Sequence, residues 1–277
     1  YGEGWVQDIF LELAQSADIV LLQGGPPWSD ILSGNLNQSG NLSFLKLEGK
    51  LARTSGLKLY VAVDPTDLTR KNLWQVPEGI GEKSFANERV KQAFREYILW
   101  IARELRPEYL AIGVEVNMLR ENNPEEFERY LAIYSELYDE VKQISPNTKV
   151  FPTLQYEYLT GNWEKKRSQW ELLDRFTKAD FIAITSYPYL IFPSFESIPG
   201  DYYLQVRAHT SKKLFIAESG YSSEKGEGQW KYTGGEDDQC RYLELLARNA
   251  NEMKAEVWIW WTLYDPNFEE GKPPAGY

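Results

Sequence analysis

The sequence has almost none of the side chains on which metal binding and nucleophilic chemistry usually depend. Cys240 is the only cysteine and His209 the only histidine among 277 residues. A single cysteine excludes an internal disulfide and a multi-thiolate metal site. A single histidine removes zinc sites built from several imidazoles and leaves any Ser-His or Cys-His chemistry dependent on one ring. No metal and no cofactor is implied. His209, in "VRAHTSKK" just ahead of a strand-like run, reads as a surface helix end, and Cys240, in a helical stretch, reads as core packing. No apolar run approaches the length that spans a bilayer, and the first residues do not read as a signal peptide. Positive charge is also short: 30 Lys and Arg against 41 Asp and Glu leave a net charge of −11. That balance argues against a nucleic-acid partner, which needs a basic face. It suits neutral partners such as sugars, although acidity is mainly a statement about solubility.

Aromatic and acidic residues are plentiful. Aromatics make up 14% of the chain, with ten tryptophans and eighteen tyrosines. Some belong in a core; the others suit the apolar C–H faces of sugar rings. Chemistry, if present, runs on carboxylates.

Read for period, the chain alternates between short apolar runs and amphipathic helical stretches. Strand-like runs fall at 18–23, 58–63, 108–116, 148–155, 180–187, 213–219 and 255–263. Between them, 88–105, 125–144 and 237–253 repeat apolar residues at three and four, the last through Cys240, Leu243, Leu246, Ala247 and Met253. The start of 125–144 is well marked, with Asn123 as N-cap, Pro124 at the first helical position and Glu126 three after the cap. Strand and helix in alternation imply parallel strands with crossover helices. No linker, charge block or low-complexity tract divides the chain, so 1–277 reads as one domain. A (β/α)₈ barrel takes roughly 250 residues, and a doubly wound sheet is the rival. Seven runs rather than eight, with a helical segment first and little after the last strand, suggest that a first strand and a last helix are missing. The sequence is then trimmed at one or both ends, or an atypical segment fills the gap.

In such a barrel alternate strand residues face inward, and the last inward residue opens onto the C-terminal face. Counting back from Glu218 puts Leu214, Ile216 and Glu218 on one face, and from Glu115 gives Ala111, Gly113 and Glu115. The same count offers Gln23, Asp64, Tyr187 and Trp261 at the exits of four other strands. Gln155 and Tyr156 compete for the fifth exit, where Pro152 disturbs the parity. A core does not require polar or aromatic residues at successive strand exits. Two such glutamates among Tyr and Trp, with almost no histidine, fit glycoside hydrolysis, in which one carboxyl protonates the leaving oxygen and the other attacks or activates water. A carbohydrate is the implied partner.

Simpler readings stand beside these. Glu115 and Glu218 could be buried ion-pair partners, with Arg103 or Arg120 available to Glu115. Asp64, in "AVDPTD", is a loop cap or a substrate ligand. Gln23 precedes a Gly-Gly-Pro-Pro turn and could contact sugar, and Trp28 beyond that turn is a lid, a subsite platform or core.

Taken together, the motifs resemble clan A of the glycoside hydrolases, the retaining (β/α)₈ enzymes. "YLAIGVEVN" is similar to that clan's fourth-strand "iGNE" motif, which implies acid/base work for Glu115. "LFIAESGY" is similar to the nucleophile strand of the endo-β-1,4-galactanases, which implies the nucleophile at Glu218. "ITSYP" matches the sixth-strand tyrosine that touches the nucleophile, giving Tyr187. "IWWTLYD" resembles the eighth-strand tryptophan under the cleavage subsite, giving Trp261. The resemblance covers residues 18–265 and implies cleavage of a β-linked glycan by double displacement. One position departs from it: where the clan carries Asn before the acid/base glutamate, to bond the sugar 2-hydroxyl, this chain has Val114. Asn117 could replace that contact if the strand bulges. A barrel that binds glycans without cleaving them is the alternative.

Overall fold

The computed structural model describes residues 3–224 and 234–263. Among the described residues eight strands are present: β1 (Ile19–Gly24), β2 (Lys58–Val63), β3 (Tyr109–Ile112), β4 (Lys149–Phe151), β5 (Thr153–Gln155), β6 (Ile182–Ser186), β7 (Leu214–Ser219) and β8 (Ala255–Trp260). They interleave with α1 (Glu3–Leu13), α2 (Trp28–Leu32), α3 (Gly40–Thr54), α4 (Glu88–Glu104), α5 (Val116–Asn122), α6 (Pro124–Ile144), α7 (Tyr156–Thr160) and α8 (Glu236–Glu252). The seven runs expected from periodicity are all found. One of them, 148–155, is broken into β4 and β5 at Pro152, which has no N–H to give to a ladder. Among the described residues no strand precedes Ile19, no helix follows Trp260, and no helix is long and apolar enough to cross a membrane.

The described residues divide into two compact units at this break, one ending at Pro152 and the other beginning at Thr153. In the first, β1-β2-β3-β4 form a parallel sheet in sequence order, and β2 and β3 are buried almost throughout. Outside them lies the α4–α6 pair. Asn87 caps α4 by accepting from the Arg89 N–H, and Val90, Phe94, Ile98 and Ile101 are fully buried at the expected spacing. Asn123 caps α6 through the Glu126 N–H with Pro124 following, as the sequence indicates. The Glu126 carboxylate does not return to the cap, however. It accepts from Ser84 Oγ (2.6 Å) and the Phe85 N–H (2.7 Å), and so fastens the loop before α4.

In the second unit β5-β6-β7-β8 form another parallel sheet. Strands β6 and β7 are wholly buried, whereas β8 alternates, with Val257 and Ile259 inside and Trp258 40% exposed. Helix α8 corrects one expectation. Its buried face runs through Tyr242, Leu245, Leu246, Asn249 and Ala250, and Cys240, Leu243 and Ala247 lie outside. The apolar residues at 240, 243 and 247 share a stripe about one position away from the true contact face, and the tyrosine at 242 decides the matter by burying more area than a cysteine can. His209 does lie at the surface, its ring stacked 4.1 Å from that of Trp170.

Candidate active site

In the first unit the polar groups gather beyond the ends of β2 and β3. Strand β3 stops at Ile112, four residues earlier than the apolar run suggested, because Tyr130 of α6 donates its hydroxyl to the Ile112 carbonyl and the chain turns there. Gly113 makes that turn with φ +100°, and a Cβ on it would stand 2.7 Å from the Tyr130 hydroxyl oxygen. Val114 follows, 2% exposed, and then Glu115 in the left-handed region (φ 51°, ψ 41°) at the start of α5. A non-glycine residue held there costs on the order of 1 kcal/mol or more and is typical of functional positions.

Arg70 is the partner that sequence reading missed. Its Nε and Nη2 donate to Glu115 Oε2 at 3.1 and 3.0 Å, while Nη1 donates to Asp64 Oδ2. The Arg70 side chain is only 9% exposed, whereas the sequence had nominated Arg103 or Arg120 for this role. Asp64 caps its own loop by accepting from the Thr66 N–H (3.0 Å) and Thr66 Oγ1 (2.8 Å). Its carboxyl is pushed above the usual aspartate range, first by burial and also by the nearby Glu115 charge, with Arg70 and Thr66 opposing. The signal for Arg70 was an Asp-Thr-Asp-Thr turn ending in Arg, "DPTDLTR", which folds back so that the Asp67 N–H meets the Asn72 carbonyl.

The other expectations in this unit fall out differently. Gln23 pairs in register with Ala62, and its Oε1 is buried without a hydrogen-bond partner among the described residues. Asn117 is fully buried on α5, the bulge that was to bring it forward being replaced by a helix start. Trp28 is a core residue rather than a platform: it is 2% exposed, its indole N–H donates to the Trp74 carbonyl (2.8 Å), and its ring lies against Phe94.

In the second unit Glu218 sits at the exit of β7, 6% exposed, and Oε2 accepts from the Tyr187 hydroxyl at 2.8 Å. The Tyr187 ring meets Trp261 edge-on, with centroids 6.2 Å apart, and the Trp261 N–H donates to the Ser219 carbonyl (2.9 Å). A Cβ on Gly220 would stand 2.7 Å from the Trp261 carbonyl oxygen, so this close approach of the two strand ends needs glycine. Tyr264 and Asp265 of the same motif lie outside the described residues.

The parity count needs correction on this strand. Ile184 pairs with Ile216, but Thr185 pairs with Glu218, so β7 carries one extra residue at Ala217. The bulge turns Glu218 onto the face of Thr185 and, below it, of Phe215 and Ala183. Leu214 and Ile216 therefore face away from Glu218. Gln155 also departs from expectation. Its Oε1 caps α7 by accepting from the Tyr158 N–H, and its Nε2 donates to Glu157 at 2.5 Å. Glu157 is fully buried and also accepts from Ser186 Oγ (2.5 Å) and the Tyr202 hydroxyl (3.0 Å); burial pushes its carboxyl up to about 7. A carboxylate between tyrosines in "QYEY", just past a strand, was its only mark in the sequence.

No protein-family model matches the chain, and no curated protein matches its sequence. Solved structures do match. The GH53 catalytic domain of Ignisphaera aggregans superimposes with a TM-score of 0.61 and 16% identity, over 92% of this chain and 76% of that one. A fungal β-1,4-galactanase structure gives 0.60 and 16%, over 92% and 80%. A GH5_18 protein of Bifidobacterium longum subsp. longum, in complex with Manb1-4GlcNAc, gives 0.66 and 16%, over 96% and 65%. The fold is a (β/α)₈ barrel, as in these structures. The barrel replaces the doubly wound sheet as the reading of the alternating strands and helices, and at this identity the likeness speaks for the fold alone.

Proposed function

We propose that residues 1–277 act as one catalytic domain, a retaining glycoside hydrolase that cleaves β-linked glycans. The observation that carries the reading is Glu218: a nearly buried carboxylate at a strand exit, turned by a bulge and held by the Tyr187 hydroxyl, in a fold shared with β-1,4-galactanases. In the first step a Glu218 oxygen attacks the anomeric carbon and the glycosidic C–O bond breaks. Glu115 gives its proton to the departing oxygen, leaving a glycosyl ester on Glu218. In the second step Glu115 takes a proton from water, whose oxygen attacks the same carbon and releases Glu218. Tyr187 orients the nucleophile, and Trp261 offers its ring to the sugar. Asp64 and Gln23 serve as further sugar contacts, and the chemistry calls for no metal or cofactor.

The test is a screen of aryl β-glycosides and β-linked plant polysaccharides, with the first-formed anomer read by NMR. Retention is the expected outcome, and an inverted product overturns the double displacement. A second reading, glycan binding without cleavage, is favoured by Val114 in place of asparagine and by the ion pair that engages Glu115. Saturable binding of a glycan with no hydrolysis of any substrate would establish it.

A further inference from the structure

Glu157 takes no direct part in that chemistry, yet it ends a chain of buried hydroxyls that leads to the residue after Glu218. Ser186 Oγ donates to Glu157 Oε1 (2.5 Å) and the Tyr203 hydroxyl donates to Ser186 Oγ (2.9 Å), while Tyr242 lies 2.6 Å from Tyr203 and Ser219 Oγ 2.5 Å from Tyr242, where either hydroxyl can donate. Ser219 Oγ also stands 3.2 Å from the Ser186 carbonyl oxygen. All five side chains are fully buried.

Each hydroxyl has one proton to donate, so the chain has two complete arrangements. With Glu157 ionised, every hydroxyl points toward it: Ser219 to Tyr242, Tyr242 to Tyr203, Tyr203 to Ser186, and Ser186 to the carboxylate. With Glu157 protonated, its own O–H donates to Ser186, the order reverses along the chain, and Ser219 is left to donate to the Ser186 carbonyl. That last bond ties the ends of β6 and β7 together, one residue before Tyr187 and one after Glu218. The first arrangement matches the donors as they stand; the second requires the Ser186 hydroxyl to turn from Glu157 toward Tyr203, and the two differ by a single proton.

We propose that Glu157 is a positioning residue whose proton sets the direction of this hydroxyl chain and so the clasp between the strand ends that present Tyr187 and Glu218. The inference rests on the reading of Glu218 as the nucleophile for its effect on rate, though not for the chain itself. The groups facing Glu157 are Gln155, Ser186, Tyr202 and Tyr203, with Tyr156 and Tyr242 beyond them. Burial drives the phenols of Tyr156, Tyr202, Tyr203 and Tyr242 upward, so they keep their protons. Asp201 acts on Tyr156, and no ion pair reaches Glu157 among the described residues. Glu157 is thus the one member that changes its proton count near neutrality, its carboxyl lying at about 7.

The experiment follows the ¹⁵N amide shift of Ser219 and the side-chain carboxyl carbon of Glu157 through a pH titration of the full chain. In the wild type the two share a midpoint. In Tyr203→Phe, which cuts the chain, Glu157 still titrates and Ser219 no longer follows it. A Ser219 signal that stays flat in the wild type overturns the proposal, as does one that still follows Glu157 in Tyr203→Phe. Kinetics adds a second readout on whatever aryl glycoside the enzyme cleaves. Glutamine keeps a donor toward Ser186 at every pH, so Glu157→Gln moves the descending limb of kcat to higher pH; a limb that does not move overturns the effect on rate. If no glycoside is cleaved, the glycosidase reading fails while the Ser219 titration still decides the chain.

Discussion

Glu115 meets a charged partner in Arg70, whereas Glu218 meets the hydroxyl of Tyr187. Arg70 lies between Asp64 and Glu115, so two carboxylates share one guanidinium in a nearly closed setting. Glu218 takes the Tyr187 hydroxyl, and behind its strand Glu157 is held by a serine, a tyrosine and an amide. The two glutamates end similar stretches of sequence, an apolar run closing on Glu, and local pattern treats them as twins. The structure gives one a cation and the other a phenol, with a second carboxylate, Glu157, held by neutral donors in the same unit. A buried cation makes its neighbours depend on pH and on that one residue, because a charge left without its partner is costly. Neutral donors spread the support over several groups, each worth about 0.5–1.5 kcal/mol.

The largest effect that separates the two carboxylates is on turnover. Glu218→Gln is expected to remove hydrolysis altogether, with added azide unable to restore it, because no ester can form. Glu115→Ala should lose about 10²–10⁴-fold on substrates that need acid help while keeping activity on good leaving groups. Azide should rescue it, since a small anion replaces the water that Glu115 would have activated. Rate assays with and without azide read both, and the reverse pattern of rescue exchanges the two roles.

Next in size is the loss of the shared cation. Arg70→Met should destabilise the protein by about 3–5 kcal/mol near neutral pH, the cost of stranding buried carboxylates. Asp64 is already raised by burial and by Glu115, and without Arg70 it rises further. Once acid protonates Asp64 it no longer needs a cation, so the deficit against the wild type should shrink as pH falls. Urea unfolding at several pH values measures it. An equal deficit at every pH would mean that Arg70 serves by packing alone.

Glu157 provides the matching test in the other unit. Its folded value of about 7 lies above the ordinary 4.5, so the native state holds a proton that the unfolded chain releases. The stability it contributes is complete below about pH 4.5 and is lost as pH rises through 7. At 1.36 kcal/mol per unit this amounts to about 3 kcal/mol at most. Glu157→Gln should therefore gain stability relative to the wild type as pH rises from 5 to 8, the opposite trend with pH from Arg70→Met. Thermal unfolding across that range reads the sign directly.

The comparison also marks what a sequence can carry. The α6 start at Asn123 and Pro124 and the burial spacing of α4 depend on neighbours within a few residues, and they were legible. So were Glu218, Tyr187 and Trp261 as strand exits that come together. The bulge at Ala217 was not, because register belongs to a pair of strands and no residue of "LFIAES" marks it. Arg70 reaches Glu115 across 45 positions of sequence through a loop whose course depends on its own turn bonds. Trp28 follows a Gly-Gly-Pro-Pro turn, as a surface platform could, and only the presence of Phe94 and the Trp74 carbonyl puts it in the core.

The smallest effect sharpens the comparison at Val114, where this chain departs from the clan it resembles. Two consequences of Val114→Asn oppose each other. The valine is 2% exposed, so an amide there that finds no partner costs about 1–3 kcal/mol of folding stability. If that amide meets the sugar 2-hydroxyl instead, the bond strengthens in the transition state and its gain falls on kcat rather than KM. A hydrogen bond of about 1.5–3 kcal/mol converts to roughly tenfold to a hundredfold in rate. Urea midpoints and kcat on the folded protein separate the two terms. The expected outcome is a lower midpoint together with a higher kcat on substrates with an equatorial 2-hydroxyl. A kcat that falls on every gluco- and galacto-configured substrate would make the valine an adaptation to something else at carbon 2. The charged surroundings of Glu115 would then serve a substrate that the asparagine-bearing members of the clan do not accept.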